Sequence, residues 1–194
     1  MKSLVNYISE RLVINKDYKD ALIAPKSFDE LRKIIEDRYN ELGPGTKNDP
    51  IDFNDVDVSN IDSFYNKKNY EGIFESTKFE YIDVSKWDVS NVNYMINIFD
   101  KCKNLKSIGD LSNWNVSNVK NMQNMFFWCG KLKSVGDLSD WDVSNVEYMD
   151  NMFYGCEQLK SVGDLSDWDV SKVKNMYTMF YDSGITNIPD WYRG

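Results

Sequence analysis

None of the chain's 194 residues is histidine, and that absence removes whole classes of chemistry. Without imidazole there is no Ser-His-Asp triad, no Cys-His pair and no His-containing zinc site. Most enzyme classes lose their usual base, so the sequence reads as non-enzymatic. Cysteine is scarce: Cys102, Cys129 and Cys156 are odd in number and share one register, which points to thiols placed by packing in a reducing compartment and not to a disulfide framework. Basic charge is in deficit, with 23 Lys and Arg against 31 Asp and Glu for a net charge of −8. That balance disfavours direct contact with nucleic-acid phosphates or anionic lipid and favours a protein partner with a basic or mixed surface. No apolar run reaches the roughly 20 residues of a membrane span. Polar residues within Met1–Arg11 interrupt any signal-peptide core, so the expectation is a protein kept inside the cell.

What the chain has in abundance is repetition. Trp87-Asp88-Val89-Ser90-Asn91-Val92 returns as Trp114-Asn115-Val116-Ser117-Asn118-Val119, as Trp141-Asp142-Val143-Ser144-Asn145-Val146 and as Trp168-Asp169-Val170-Ser171-Lys172-Val173, each copy 27 residues after the last. A unit of this length cannot bury its own apolar side, so copies must share a core. The expected fold is an α/β solenoid, a leucine-rich-repeat-like stack of about five repeats with an N-terminal helical cap. With 42% apolar and 14% aromatic residues, material for a sizeable core is present.

Two units are expected: a capping unit over residues 1–56 and a repeat unit over 57–194, with degenerate first and last copies. In the first, Ser27 and Glu30 read as a capping box opening a helix over 27–42. Leu31, Ile34, Ile35, Tyr39 and Leu42 fall on one face, and Gly43-Pro44 ends the run. Leu4, Tyr7, Ile8 and Leu12 suggest a shorter helix, and Ala21–Ala24 a short strand. Asp57-Val58-Ser59-Asn60-Ile61 is a degenerate first copy, with residues 66–71 as an inserted surface loop. In the last copy Ser183 answers Cys156, and Pro189 disfavours further strand pairing. Within a typical copy, Ser117 is placed to cap a short helix with Val119, Met122, Met125 and Phe126 inward. Residues 133–138 read as the strand, and Gly136-Asp137 as a bend.

The full unit, Trp-Asp/Asn-Val-Ser-Asn/Lys-Val-x-x-Met-x-x-Met/Ile-Phe-x-x-Cys-x-x-Leu-x-x-Ile/Val-Gly-Asp-Leu-Ser, resembles the repeat of the BspA-like leucine-rich-repeat proteins of bacteria, mycoplasmas and their phages. The likeness covers residues 57–191. It departs from Leu-x-x-Leu-x-Leu in reading Leu105-x-x-Ile108-x-x-Leu111. The N-terminal unit with its Asp55–Ile61 entry resembles short, leaderless members from phage genomes. That resemblance implies protein binding in the cytoplasm of a bacterium or phage-infected cell, and leaves the partner and the oligomeric state open. The family's surface adhesins imply the alternative of an adhesin fragment.

Positions that stay constant between copies serve packing; positions that vary are free to carry specificity. The varying columns contain Tyr94, Phe127, Trp128, Tyr148, Tyr154, Tyr177 and Tyr181, an amount of aromatic surface suited to anchoring a partner. These are the candidate partner-binding residues. Asp110, Asp137 and Asp164 form an acidic column, and Asp88, Asp142 and Asp169 another; turn chemistry accounts for both. No loop groups carboxylates as an EF-hand does, and cysteines arriving once per copy form a line and not a tetrahedron. No metal, cofactor or catalytic residue is therefore expected. The leading functional reading is a non-catalytic protein that docks on a protein partner and occludes it. The alternative is an acidic nucleic-acid mimic, anti-CRISPR-like, that inhibits a bacterial defence nuclease complex through Asp110, Asp137 and Asp164.

Overall fold

The computed structural model describes residues 23–193. The expected helix around Leu4–Leu12 lies outside them. So do Ala21 and Leu22 of the expected strand, of which Ile23 forms a single parallel bridge with Val56.

The helix α1 spans Phe28–Leu42. Ser27, extended at φ −154° and ψ 163°, accepts the Glu30 N–H on its side chain, which satisfies one of the donors left open at a helix start. Glu30 reaches back to the Lys26 N–H, not to that of Ser27. Gly43 ends the helix at φ 74° and returns its N–H to the Tyr39 carbonyl. Leu31, Ile34 and Ile35 are buried, Tyr39 half-buried. Leu42, expected on the same face, is 63% exposed, because the chain turns away at Gly43. Arg32 fastens α1 to the rest through the carbonyls of Gly72 and Ile73, and Arg38 through Asp55 at 2.7 Å.

Beyond α1 the expectation of an α/β leucine-rich-repeat solenoid is overturned. Among the described residues α1 is the one helix. The strands are four pairs of residues in two two-stranded sheets: β1 (Ile51–Asp52) parallel to β4 (Ile82–Asp83), and β2 (Tyr65–Asn66) antiparallel to β3 (Glu71–Gly72). Everything else is turn, bend, isolated bridge or irregular chain. The helix expected after Ser117 and the strand expected over 133–138 do not form. The insertion at 66–71 becomes the tip of the β2–β3 hairpin, exposed from Lys67 to Glu71.

The hydrogen bonds give the reason. Met122, Asn124, Phe126 and Trp128 donate their N–H groups to the carbonyls of Tyr148, Asp150, Met152 and Tyr154, while the intervening Met125, Phe127 and Cys129 close turns onto residues three back. With alternate N–H groups spent on the next copy, none is left for the i to i−4 ladder of an α-helix. Asn124 and Trp128 also take left-handed backbone, φ 55° and 57°, which L-residues do not sustain in a helix. Over 133–138, Gly136 at φ 90° breaks the extended run.

Equivalent side chains of successive copies lie against one another. Phe74, Phe99, Phe126, Phe153 and Phe180 stack at centroid distances of 5.3, 5.5, 5.6 and 5.8 Å. The indole N–H groups of Trp87, Trp114, Trp141, Trp168 and Trp191 are donated to the carbonyls of Phe53, Val84, Leu111, Leu138 and Leu165, so the first four rings are buried, and Trp191 half-buried, with the polar atom satisfied. The core is continuous from Leu31 to Ile185.

Candidate partner-binding surface

One residue after the inward phenylalanines runs a second column, which passes from buried to exposed along the copies. There the column reads Asp100, Phe127, Tyr154 and Tyr181, followed by Lys101, Trp128, Gly155 and Asp182. Backbone bonds hold these positions in register: Lys101 N–H to the Phe127 carbonyl at 2.7 Å, Trp128 to Tyr154 at 2.8 Å, and Gly155 to Tyr181 at 3.0 Å. Lys101, Trp128, Gly155 and Asp182 all have positive φ, from 55° to 71°. The same left-handed step thus follows a buried side chain at Asp100, half-buried ones at Phe127 and Tyr154, and an exposed one at Tyr181.

Four rings meet as a consequence. Phe127 lies 5.1 Å from Tyr154 and 6.3 Å from Trp128, Trp128 lies 5.8 Å from Tyr154, and Tyr154 stacks on Tyr181 at 5.2 Å. Phe127 and Tyr154 are half-buried, whereas Trp128 is 38% and Tyr181 62% exposed. Gly155 makes the indole's position possible: a Cβ there would stand 3.2 Å from Trp128 Cδ2 and Cε3. A side chain at 155 would be strained by the φ of 71° and would press the indole away by a few tenths of an ångström.

The other aromatic candidates are not part of this ridge. Tyr94 and Tyr148 belong to a line of single parallel bridges, Tyr94 to Asn121 to Tyr148 to Asn175, in which asparagine separates them. Each carries a lysine of the chain itself, Lys67 Nζ 4.9 Å above Tyr94 and Lys174 Nζ 5.8 Å above Tyr148. Tyr177 is 69% exposed and shares no ring contact with the ridge.

Two groups that the sequence did not single out are buried carboxyls. Asp100, at the head of the ridge column, is 2% exposed; its Oδ2 accepts from Lys101 Nζ at 2.7 Å and its Oδ1 has no partner. Burial pushes its pKa up to about 6, against the pull of Lys101 and with the repulsion of Glu75. Asp150 is buried with Oδ2 on Gln123 Nε2 at 2.6 Å and Oδ1 unpartnered, and burial raises its pKa as well. Their column neighbours are Phe127 and Gln123, so the repeat pattern gave no sign of a buried acid. A third missed feature is the left-handed asparagine line. Asn124 donates to Asn97 Oδ1 at 3.0 Å and Asn151 to Asn124 Oδ1 at 2.9 Å, and asparagine at a constant interval was the available signal.

Asp110, Asp137 and Asp164 are exposed, and each accepts an N–H two residues on, from Ser112, Ser139 and Ser166, at 3.0 Å. These bonds hold the Asp137 and Asp164 carboxyls below the ordinary range. Two of the carboxylates also sit over a glycine of the next copy: a Cβ on Gly136 would fall 1.9 Å from Asp110 Oδ1, and one on Gly163 1.8 Å from Asp137 Oδ1.

The cysteines are free and buried, each thiol donating to a carbonyl at 3.0 Å, of Phe74, Phe99 and Phe126 in turn. Burial pushes the Cys156 thiol up to about 12. Among the described residues no three Cys, Asp or Glu side chains converge as a metal set, and no helix is long and apolar enough to cross a membrane.

A family model described as "Mycoplasma protein of unknown function, DUF285" matches residues 68–191, well over half of the chain. No curated protein and no solved structure matches.

Proposed function

The chain belongs to the family described as Mycoplasma protein of unknown function, DUF285, which agrees with the BspA-like resemblance at the level of the family, and from that premise we propose that it is a non-catalytic protein that docks on a protein partner and occludes it. The observation that carries the proposal is the ridge of Phe127, Trp128, Tyr154 and Tyr181, four contiguous rings with neighbours 5.1 to 6.3 Å apart. Clustered aromatic side chains are the typical anchors of an interface, offering large contact area at low entropic cost. The backbone bonds that hold the ridge in register keep that ordering cost low. A lack of catalysis accords with the absence of histidine and with thiols held against carbonyls in the core.

The test is site-specific photo-cross-linking in the cells that make the protein. A benzophenone amino acid at Tyr154 or Tyr181 is expected to capture a discrete protein that the same probe at Lys133, an exposed position off the ridge, does not. Equal capture from all three positions, or none from the ridge, overturns the proposal.

One observation favours a second reading. Asp110, Asp137 and Asp164 are exposed acids at a regular interval, each fixed by its serine N–H, as a mimic of nucleic-acid phosphates requires. Charge reversal of all three together is expected to abolish inhibition of a nuclease complex if that reading holds; inhibition that survives it, or that resists added salt, sinks it.

A further inference from the structure

The ridge also indicates what its partner presents. Resting on the docking reading above, we propose that Trp128, Tyr154 and Tyr181 receive a cationic segment, with arginine or lysine side chains of the partner laid against the ring faces.

Elsewhere this chain places its own cations over its aromatic rings. Lys106 Nζ stands 5.3 Å from the Tyr81 ring, Lys67 4.9 Å from Tyr94, Lys174 5.8 Å from Tyr148, and Lys101 6.0 Å from Phe127. A cation over a ring face is drawn by the negative charge of the π-system, and the chain uses that attraction again and again. Along the ridge the supply of internal cations stops. The position that is Lys101 in one copy becomes Trp128, Gly155 and then Asp182 in the next three. Among the described residues no cation stands over Trp128, Tyr154 or Tyr181.

Ring orientation leaves faces open. Tyr154 and Tyr181 stack at an interplanar angle of 24°, so the face of Tyr181 turned away from Tyr154 is not covered by it. Trp128 is inclined at 52° to Tyr154 and 88° to Phe127, so neither neighbour lies flat on its indole. Charge agrees with the geometry. Asp182 stands at the register position where Lys101 stood and is exposed, and the chain as a whole carries −8. Long-range attraction and local ring chemistry therefore select the same partner. Guanidinium suits the site better than ammonium, because its plane stacks on a ring while its edge donates to a carboxylate.

The test uses two synthetic peptides, acetyl-Gly-Arg-Gly-Arg-Gly-amide and the same sequence with neutral citrulline for arginine, titrated into the full chain and read by NMR at the Trp128 indole N–H. That resonance is assigned by its loss in Trp128→Phe. The arginine peptide is expected to shift it saturably, and the citrulline peptide to bind at least about tenfold more weakly. Tyr181→Leu keeps an apolar side chain but removes the π-face, and is expected to weaken the arginine peptide about threefold or more with the rest of the spectrum unchanged. Equal binding of the two peptides, unchanged binding to Tyr181→Leu, or no shift with either peptide overturns the cationic inference. Cross-linking from Tyr154 and Tyr181 decides the docking surface separately, so a ridge that captures a protein yet ignores arginine leaves the first proposal standing and removes only the second.

Discussion

Two columns of aromatic rings run through the same copies of the repeat one residue apart. Phe99, Phe126, Phe153 and Phe180 are between 0% and 7% exposed and stack at interplanar angles from 5° to 16°. The adjacent column, Asp100, Phe127, Tyr154 and Tyr181, ranges from buried carboxyl to a tyrosine 62% exposed. Ring spacing is much the same in both, 5.5 to 5.8 Å inside and 5.1 to 5.2 Å outside. The difference lies in what surrounds the rings. An inner ring touches protein on all sides, so every copy needs the same shape. The outer rings are half-buried at Phe127 and Tyr154 and 62% exposed at Tyr181, so packing does not dictate the same shape in every copy.

The largest effect is expected where the comparison is most severe. Phe126 is fully buried between Phe99 and Phe153, and Phe126→Ala removes two ring contacts and opens a cavity that the register of backbone bonds prevents from closing. A loss of about 3 to 5 kcal/mol is expected, measured by urea denaturation. A loss below about 1 kcal/mol would show that the inner column yields as readily as the outer one. Next comes the asparagine line two residues before the inner column. Asn124 holds φ 55°, donates to Asn97 and accepts from Asn151. Asn124→Ala keeps the strained backbone without either bond, at an expected cost of about 1 to 2 kcal/mol, whereas Asn124→Gly relieves the strain and is expected to cost less.

A smaller and pH-dependent effect belongs to Asp100, the one carboxyl in the outer column. Its folded pKa of about 6 lies above the ordinary 3.8, so the folded state holds the proton more tightly than the unfolded chain does. The penalty for its charge is therefore fully present above pH about 6 and is relieved as pH falls from about 6 toward about 4. Asp100→Asn is expected to stabilise the protein by on the order of 1 kcal/mol at neutral pH, with the advantage over the unsubstituted chain vanishing near pH about 4. Asp137 and Asp164 act in the opposite sense, since their lowered values mean stability lost only at more acidic pH; the difference between the two proteins, not either curve alone, isolates Asp100. An advantage that is the same at all pH values would show that the buried charge is not its source.

How much of this was legible in the sequence follows from which interactions are local. The helix α1 was read within a residue of its bounds because Ser27 and Gly43 act on their own neighbours. The buried columns were read because one period implies one environment. The secondary structure of the copies was not. Val119, Met122, Met125 and Phe126 have the spacing of a helical face, but their backbone groups are spent on the following copy, and no spacing of side chains reports where an N–H is donated. The aromatic candidates divide for a similar reason. Phe127, Trp128, Tyr154 and Tyr181 converge because residues 27 apart are brought side by side and Gly155 leaves room. Tyr94 and Tyr148 lie two copies apart, with Asn121 between them. The charge state of Asp100 depended on burial that its aromatic column neighbours did not announce.

The smallest expected effect sharpens the comparison most. Tyr181→Ala removes a ring stacked at 5.2 Å on Tyr154 but otherwise turned to solvent. A stacked pair is worth about 0.5 to 1.5 kcal/mol when buried, and less where water competes for one face. The Tyr181 carbonyl still accepts the Gly155 N–H in the alanine variant, so the register is kept. The expected change in unfolding free energy is within about 1 kcal/mol, a small fraction of that for Phe126→Ala in the same denaturation experiment. A change that small is what the docking proposal requires of a ring whose use lies outside the fold. If Tyr181→Ala instead destabilised the chain as severely as Phe126→Ala, the outer column would be core in all but exposure, and the docking ridge would lose its physical basis.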